Sequence, residues 1–218
     1  MDIPEKVLYL SIINHKHILK MEHVNETKNG NYITRTYHDD STESPRDWDN
    51  LGTMVCFHNR YDLGDKHNYN SNDYNGWDEM EKDIIKRENV GVILPLYLYD
   101  HSGITMNTTG FSCNWDSGRV GFIFISKQKM LEEYGGKIVT QKLKDRVEGY
   151  LKSEVETYDQ FLTGDVYGYR VFKEENGVEE ELDSCWGFYG EDTCMEEGVG
   201  IMEYYIEKEF VQEHNEMI

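Results

Sequence analysis

Two short windows hold residue types that could do chemistry. The first is Asp100-His101-Ser102-Gly103, which directly follows an apolar run. An Asp and a His at a strand's end are well placed for catalysis, because loops at strand ends carry function. His101 would be the base, since imidazole titrates near neutral pH. The same four residues also make an ordinary turn: Asp opens it, Ser bonds locally and Gly supplies a positive φ. The second window, Phe111 to Gly118, presents Cys113, Trp115 and Asp116. Cys113 as a nucleophile needs a base within reach, and His101 and His58 are the candidates. A buried, unreactive cysteine beside an Asp-Ser-Gly turn is the simpler reading. The candidate hydrolytic set is therefore Asp100, His101, Cys113 and Asp116.

Metal chemistry is weakly signalled. Cys56 and His58 offer two zinc ligands, and Cys113, Cys185 and Cys194 could complete a set. No Cys-x-x-Cys knuckle is present, so no metal site and no cofactor are expected. Asp62, Asp65 and Asp73 lie in a Tyr- and Asn-rich stretch without the pattern of a calcium loop. The sequence also lacks a Gly-rich phosphate loop, a dinucleotide fingerprint, a serine elbow and a zinc-protease helix.

The other chemistry is electrostatic. Residues 174–218 hold fifteen carboxylates and one cation, Lys208, which makes −14 of the chain's net −20. Charge so concentrated opposes compaction by self-repulsion. It reads either as a solvated end or as a surface for a basic protein partner. For the second reading the contacting residues are Glu196, Glu197, Glu203, Glu207, Glu209 and Glu213. The balance argues against direct nucleic-acid binding, which needs a basic stripe. The moderately basic stretch, Lys127 to Lys152, is interleaved with Glu132, Glu133, Asp145 and Glu148.

The elements that must position these residues follow from patterning. Lys6 to Ile13, His17 to Val24 and Tyr32 to Tyr37 read as strands, with Lys28 to Asn31 as a hairpin turn. Thr53 to His58, Val92 to Tyr99, Val120 to Ser126 and Val166 to Phe172 are further strands, the last turned at Asn176-Gly177. Pro95 within Val92 to Tyr99 calls for a bulge or an edge. Trp77 to Glu88 is a helix with Trp77, Met80, Ile84 and Ile85 on one side. Ser126 caps a short helix through Tyr134. The clearest helix is Thr140 to Leu162, on which Leu143, Val147, Tyr150, Leu151, Val155, Tyr158 and Leu162 recur at three- and four-residue steps. A last helix runs from Met195 to Glu216, with Val199, Met202, Ile206, Phe210 and Met217 as its stripe and Gly198 and Gly200 weakening its start. Early strands with later helices predict an α+β fold. It has an antiparallel or mixed sheet packed by one long helix and an acidic C-terminal helix or hairpin. Residues 1–190 read as a single domain, with the acidic segment 191–218 packed on it.

Apolar residues make up 38% of the chain and aromatic ones 13%, too aromatic for a disordered chain. The longest apolar run, Gly91 to Tyr99, is far short of the ~20 residues a membrane helix needs. An acidic N-terminus and four widely spaced cysteines suggest free thiols in a reducing cytoplasm.

Five windows occur together in order: Ser44 to Cys56 (SPRDWDNLGTMVC), Leu94 to Thr105 (LPLYLYDHSGIT), Phe111 to Gly118 (FSCNWDSG), Thr163 to Gly168 (TGDVYG) and Asp183 to Gly190 (DSCWGFYG). As a set they resemble an uncharacterised family of bacteriophage and prophage proteins. The resemblance implies a phage gene product acting in the host bacterial cytoplasm and implies no activity. The acidic end after Gly190 does not match the family pattern. Joined to the charge argument, it makes the lead expectation an inhibitor that binds a host protein with a basic surface. The fitting target is a nucleic-acid-binding defence factor, of the anti-CRISPR or anti-restriction type. Duplex DNA carries a charge about every 1.7 Å, and a cleft built for that field also attracts carboxylates. The alternative is a small phage hydrolase using the Asp/His/Cys set.

Overall fold

Strands rich in β-branched and aromatic residues, joined by Gly-containing turns, build the first of two four-stranded antiparallel sheets. The computed structural model describes residues 22–216. The expected strands Lys6 to Ile13 and His17 to Val24, apart from the latter's final residues, and Met217 of the last helix lie outside these. Internal contacts divide the chain into two compact units. One holds residues up to Thr42 and from Gly164 onward; the other is Glu43–Thr163, inserted between two strands of the first. The fold is α+β with a C-terminal helix.

In the first unit the strands are β1 (Asn25–Asn29), β2 (Tyr32–His38), β7 (Val166–Glu175) and β8 (Val178–Tyr189), in the order β1-β2-β7-β8. Gly30 turns β1 into β2 at φ 62°, and Asn176 and Gly177 turn β7 into β8 at φ 54° and 79°. Two successive positive φ values are what a tight hairpin requires and what Asn-Gly supplies. Helix α4 (Glu191–Glu216) lies on one face of this sheet. It starts four residues earlier than expected. Gly198 is not a weak point but the closest approach: a Cβ there would stand 2.7 Å from Thr34 Cγ2. Instead Thr34 Oγ1 donates to the Gly198 carbonyl at 3.2 Å. Cys194 and Met202 bury against Tyr32, Tyr167, Tyr169 and Val171. Phe210, expected in the buried stripe, is 59% exposed, because it lies five full turns after Asp192 and so falls on the outward side of the helix.

On the opposite face Arg35 and Arg170 stand directly across the β2–β7 ladder. Like charges so placed repel. Glu26 and Glu179 pair with Arg35, Glu181 pairs with Arg170, and the Phe172 ring lies 5.1 Å from each guanidinium.

Near the end of α4, Tyr32 donates to Glu209, whose other oxygen accepts from Lys173 Nζ at 2.6 Å. These bonds, the Lys173 one first, hold the Glu209 carboxyl below its usual 4.5. A carboxylate depressed in the folded state stabilises above its unfolded pKa, and the gain fades as pH falls through the folded value. Glu209→Gln should therefore flatten the loss of stability below pH 4.5. Melting curves between pH 3 and 7 that keep the wild-type slope would count against the clasp.

The second unit's sheet runs β3-β6-β4-β5, all antiparallel, from β3 (Thr53–Cys56), β4 (Val90–Asp100), β5 (Ile104–Asn107) and β6 (Ser117–Ser126). Helix α1 (Trp77–Arg87) covers one face with Met80 and Ile84 over Val55, Phe122 and Phe124. Helix α3 (Gln141–Thr163) covers the other with Val147, Leu151, Val155 and Tyr158 over Met54, Leu96 and Ile123. The strand β6 is buried on both faces, which is why Phe122 to Ile125 reads as an unbroken apolar run. Ile85, expected inward on α1, is 41% exposed. Pro95 pairs with Phe122 of β6, while β5 joins β4 only from Tyr97. So Pro95 sits where the strand has one neighbour, and its missing N–H costs no ladder bond. Helix α2 (Lys127–Tyr134) is capped by Ser126, which accepts from Lys129 N at 3.1 Å, and α3 by Thr140, which accepts from Leu143 N at 3.3 Å.

Candidate functional site

The turn after β4, the loop before β6 and the loop after β3 bring the first candidate group together. Ser102 and Gly103 take φ 58° and 156°, and His101 N donates to Gly103 O at 3.0 Å, so the window is a tight turn. Asp100 N donates to the Asp116 carbonyl at 2.8 Å, which fastens this turn to the second window. The Asp116 carboxylate then faces His101 Nδ1 at 3.4 Å and Cys113 Sγ at 3.8 Å. Asp100 turns the other way: its carboxylate holds Arg60 and lies 3.8 Å from His58 Nε2. His58 Nδ1 accepts from the backbone N–H groups of Arg60 and Tyr61, both at 3.3 Å. That places the ring proton on Nε2, toward Asp100.

Three of the four expected residues, His101, Cys113 and Asp116, thus gather on one carboxylate, while the Asp100 carboxylate serves Arg60 and His58; no nucleophile–base chain forms among them. Cys113 and His101 address the same Asp116 oxygen, and no Cys113–His hydrogen bond occurs among the described residues. Ser117 Oγ is committed to the Cys113 carbonyl. Asp100, Asp116, His58, Trp115 and Arg119 line an open cleft of ≈ 380 Å³. Trp115 is 96% exposed at its rim. What this arrangement can do is orient a histidine against a carboxylate in reach of water. The sequence reading missed Arg60 and the His58–Asp100 pair, which no spacing signals, because Arg60 lies 40 and His58 42 positions before Asp100.

The thiols offer nothing further. Cys56 is buried and desolvation pushes it up to about 12; Cys194 is likewise pushed up to about 12 by burial. Cys56 and Cys113 belong to one unit, Cys185 and Cys194 to the other. No group of three or more His, Cys, Asp or Glu is arranged for a metal among the described residues. Asp65 serves Arg46 instead, accepting from its Nε at 2.8 Å and Nη2 at 2.7 Å.

The second candidate is the acidic end, and its charges divide. Glu175 and Glu209 pair with Lys173, Glu179 with Arg35 and Glu181 with Arg170. Cations from outside the segment therefore neutralise part of what the sequence shows as unopposed. Glu209, expected to contact a partner, is drawn inward by Lys173 and Tyr32. Asp192, Glu196, Glu203 and Glu207 are exposed and make no hydrogen bond or ion pair among the described residues. At 3.6 residues per turn they fall on one line, opposite Cys194, Gly198, Met202 and Tyr205. At 1.5 Å per residue this stripe is ~22 Å long. Glu197 is exposed on its flank; the side chain of Glu213 lies outside the description. Asp192 belongs to the stripe and was missed, because the helix was expected to begin after it.

No protein-family model, no curated protein and no solved structure matches this chain. No helix among the described residues is long and apolar enough to cross a membrane.

Proposed function

We propose that the protein is a phage-encoded inhibitor that binds a basic surface of a host nucleic-acid-binding defence factor, of the anti-CRISPR or anti-restriction type. The observation that supports it most is the outward stripe Asp192, Glu196, Glu203 and Glu207. Among the described residues its carboxylates make no ion pair, while neighbouring glutamates are matched to arginines and a lysine. A helix presenting one sign of charge over ~22 Å steers a basic partner and fixes its register. Replacing the four with Asn or Gln keeps size while removing four charges. In bacteria carrying a nucleic-acid-targeting defence system, the wild-type protein should raise phage plating efficiency and this variant should not. Binding to the purified target should slow and lose much of its salt dependence, since screening acts over ~8–10 Å. Equal protection by the variant would refute the reading.

A second reading, a small hydrolase, is favoured by the His101–Asp116 pair beside the open cleft. Asp116 would orient His101 to activate a water, which needs no protein nucleophile. His101→Ala should leave melting unchanged, because the side chain is 62% exposed. It should abolish turnover of ester and phosphodiester substrates. Undiminished turnover would exclude His101.

A further inference from the structure

The second unit holds a cavity that neither reading uses. It has a volume of ≈ 400 Å³ and lies between the loop 45–51, helix α2 and the middle of α3. Its walls include Trp48, Asp49, Lys129, Glu133, Tyr134 and Tyr150. The rim is firmly built. Arg46 donates to Asp65, to Glu154 Oε2 at 3.1 Å and to the Gly52 carbonyl at 2.8 Å. Asn50 Nδ2 donates to the carbonyls of Pro45 and Trp48, each at 2.9 Å. These bonds set the loop that carries Trp48.

Three features in and beside the wall point to one ligand chemistry. Tyr134 and Tyr150 are stacked, with centroids 6.0 Å apart at 19°. The Arg146 guanidinium lies 5.0 Å from the first ring and 5.6 Å from the second, so this pair already accepts a guanidinium. Asp49 and Glu133 make no hydrogen bond or ion pair among the described residues, although Lys129 stands one turn before Glu133 on α2. Lys129 Nζ instead reaches the Asn50 carbonyl at 2.7 Å. The cavity therefore offers aromatic faces beside two open carboxylates. A planar cation satisfies both at once: its face on a ring, its N–H groups on a carboxylate.

We propose that this cavity binds a guanidinium group, carried by a free small molecule or by an arginine side chain of a partner. This inference does not rest on the acidic helix. The test titrates the full-length protein with ethylguanidinium and with the peptide acetyl-Gly-Arg-Gly-amide, following the indole N–H signals of its four tryptophans by NMR. Ethylurea and the citrulline peptide are the uncharged controls. Both guanidinium probes should shift the Trp48 signal, the uncharged ones should not, and that of the fully exposed Trp115 should stay in place. Tyr150→Ala should weaken binding about fivefold, the scale of one exposed cation–π contact. Glu133→Gln, an exposed change that leaves the core intact, should weaken it and reduce its salt dependence. Tighter binding of the peptide would assign the site to a partner's arginine, and equal binding to a free ligand. Equal shifts with urea, no shift with either guanidinium, or unchanged binding in both variants would overturn the proposal.

Discussion

Arg46→Met should destabilise the protein by about 3 kcal/mol, at the lower end of the cost of breaking a buried ion pair. The Arg46 side chain is 4% exposed, and burial alone opposes its charge; the bonds to Asp65 and Glu154 outweigh this and hold its pKa raised. Removing it strands two carboxylates that are themselves mostly covered. Glu154 also accepts from the Leu51 and Gly52 amides, and Asp65 from the Met54 amide. The loop, the start of β3 and helix α3 thus share one cation. Adding Glu154→Gln should not add its full cost, because the stranded charge goes with it. Denaturant unfolding of the two single variants and the pair checks this. Strictly additive losses would show that the three groups do not act as a unit.

Leu151→Ala should cost about 2–5 kcal/mol, the range for a fully buried leucine whose site cannot collapse. Leu151 is 0% exposed between α3 and the sheet. Its site has an unusual neighbour. A Cβ on Gly52 would stand 2.6 Å from Leu151 Cδ2 and 2.8 Å from Ile123 Cγ1, so the glycine exists because the leucine fills its space. Gly52→Ala alone should cost about 1–3 kcal/mol through overpacking. In the double variant the new methyl enters the vacated volume, and the combined loss should fall below the sum. A Leu151→Ala protein that melts like wild type would mean the α3 face is not the core.

The periodic elements were legible because their signals are local. Leu143 to Tyr158 repeats at helical spacing, Asn176-Gly177 is a hairpin turn, and Ser126 and Thr140 are caps, each decided by a few neighbouring residues. The sequence also told that Asp100, His101, Cys113 and Asp116 sit at loop ends, and that the chain's charge is concentrated late.

Only the tertiary structure decided what those residues face. That Asp116 joins His101 to Cys113, while Asp100 serves Arg60 and His58, depends on three loops meeting; spacing along the chain carries no record of it. The acidic end shows the same division. Its net charge is a property of composition. Which carboxylates Arg35, Arg170 and Lys173 neutralise is set by strand register and by the rotation of α4 on the sheet. Gly198 marks the difference most plainly. By propensity it weakens a helix by about 1 kcal/mol relative to alanine. In the fold it is the point where the absence of a side chain lets α4 rest on Thr34 and Tyr169, and so turns Asp192, Glu196, Glu203 and Glu207 outward. Propensity acts between neighbours along the chain, whereas close approach acts between elements brought together by folding.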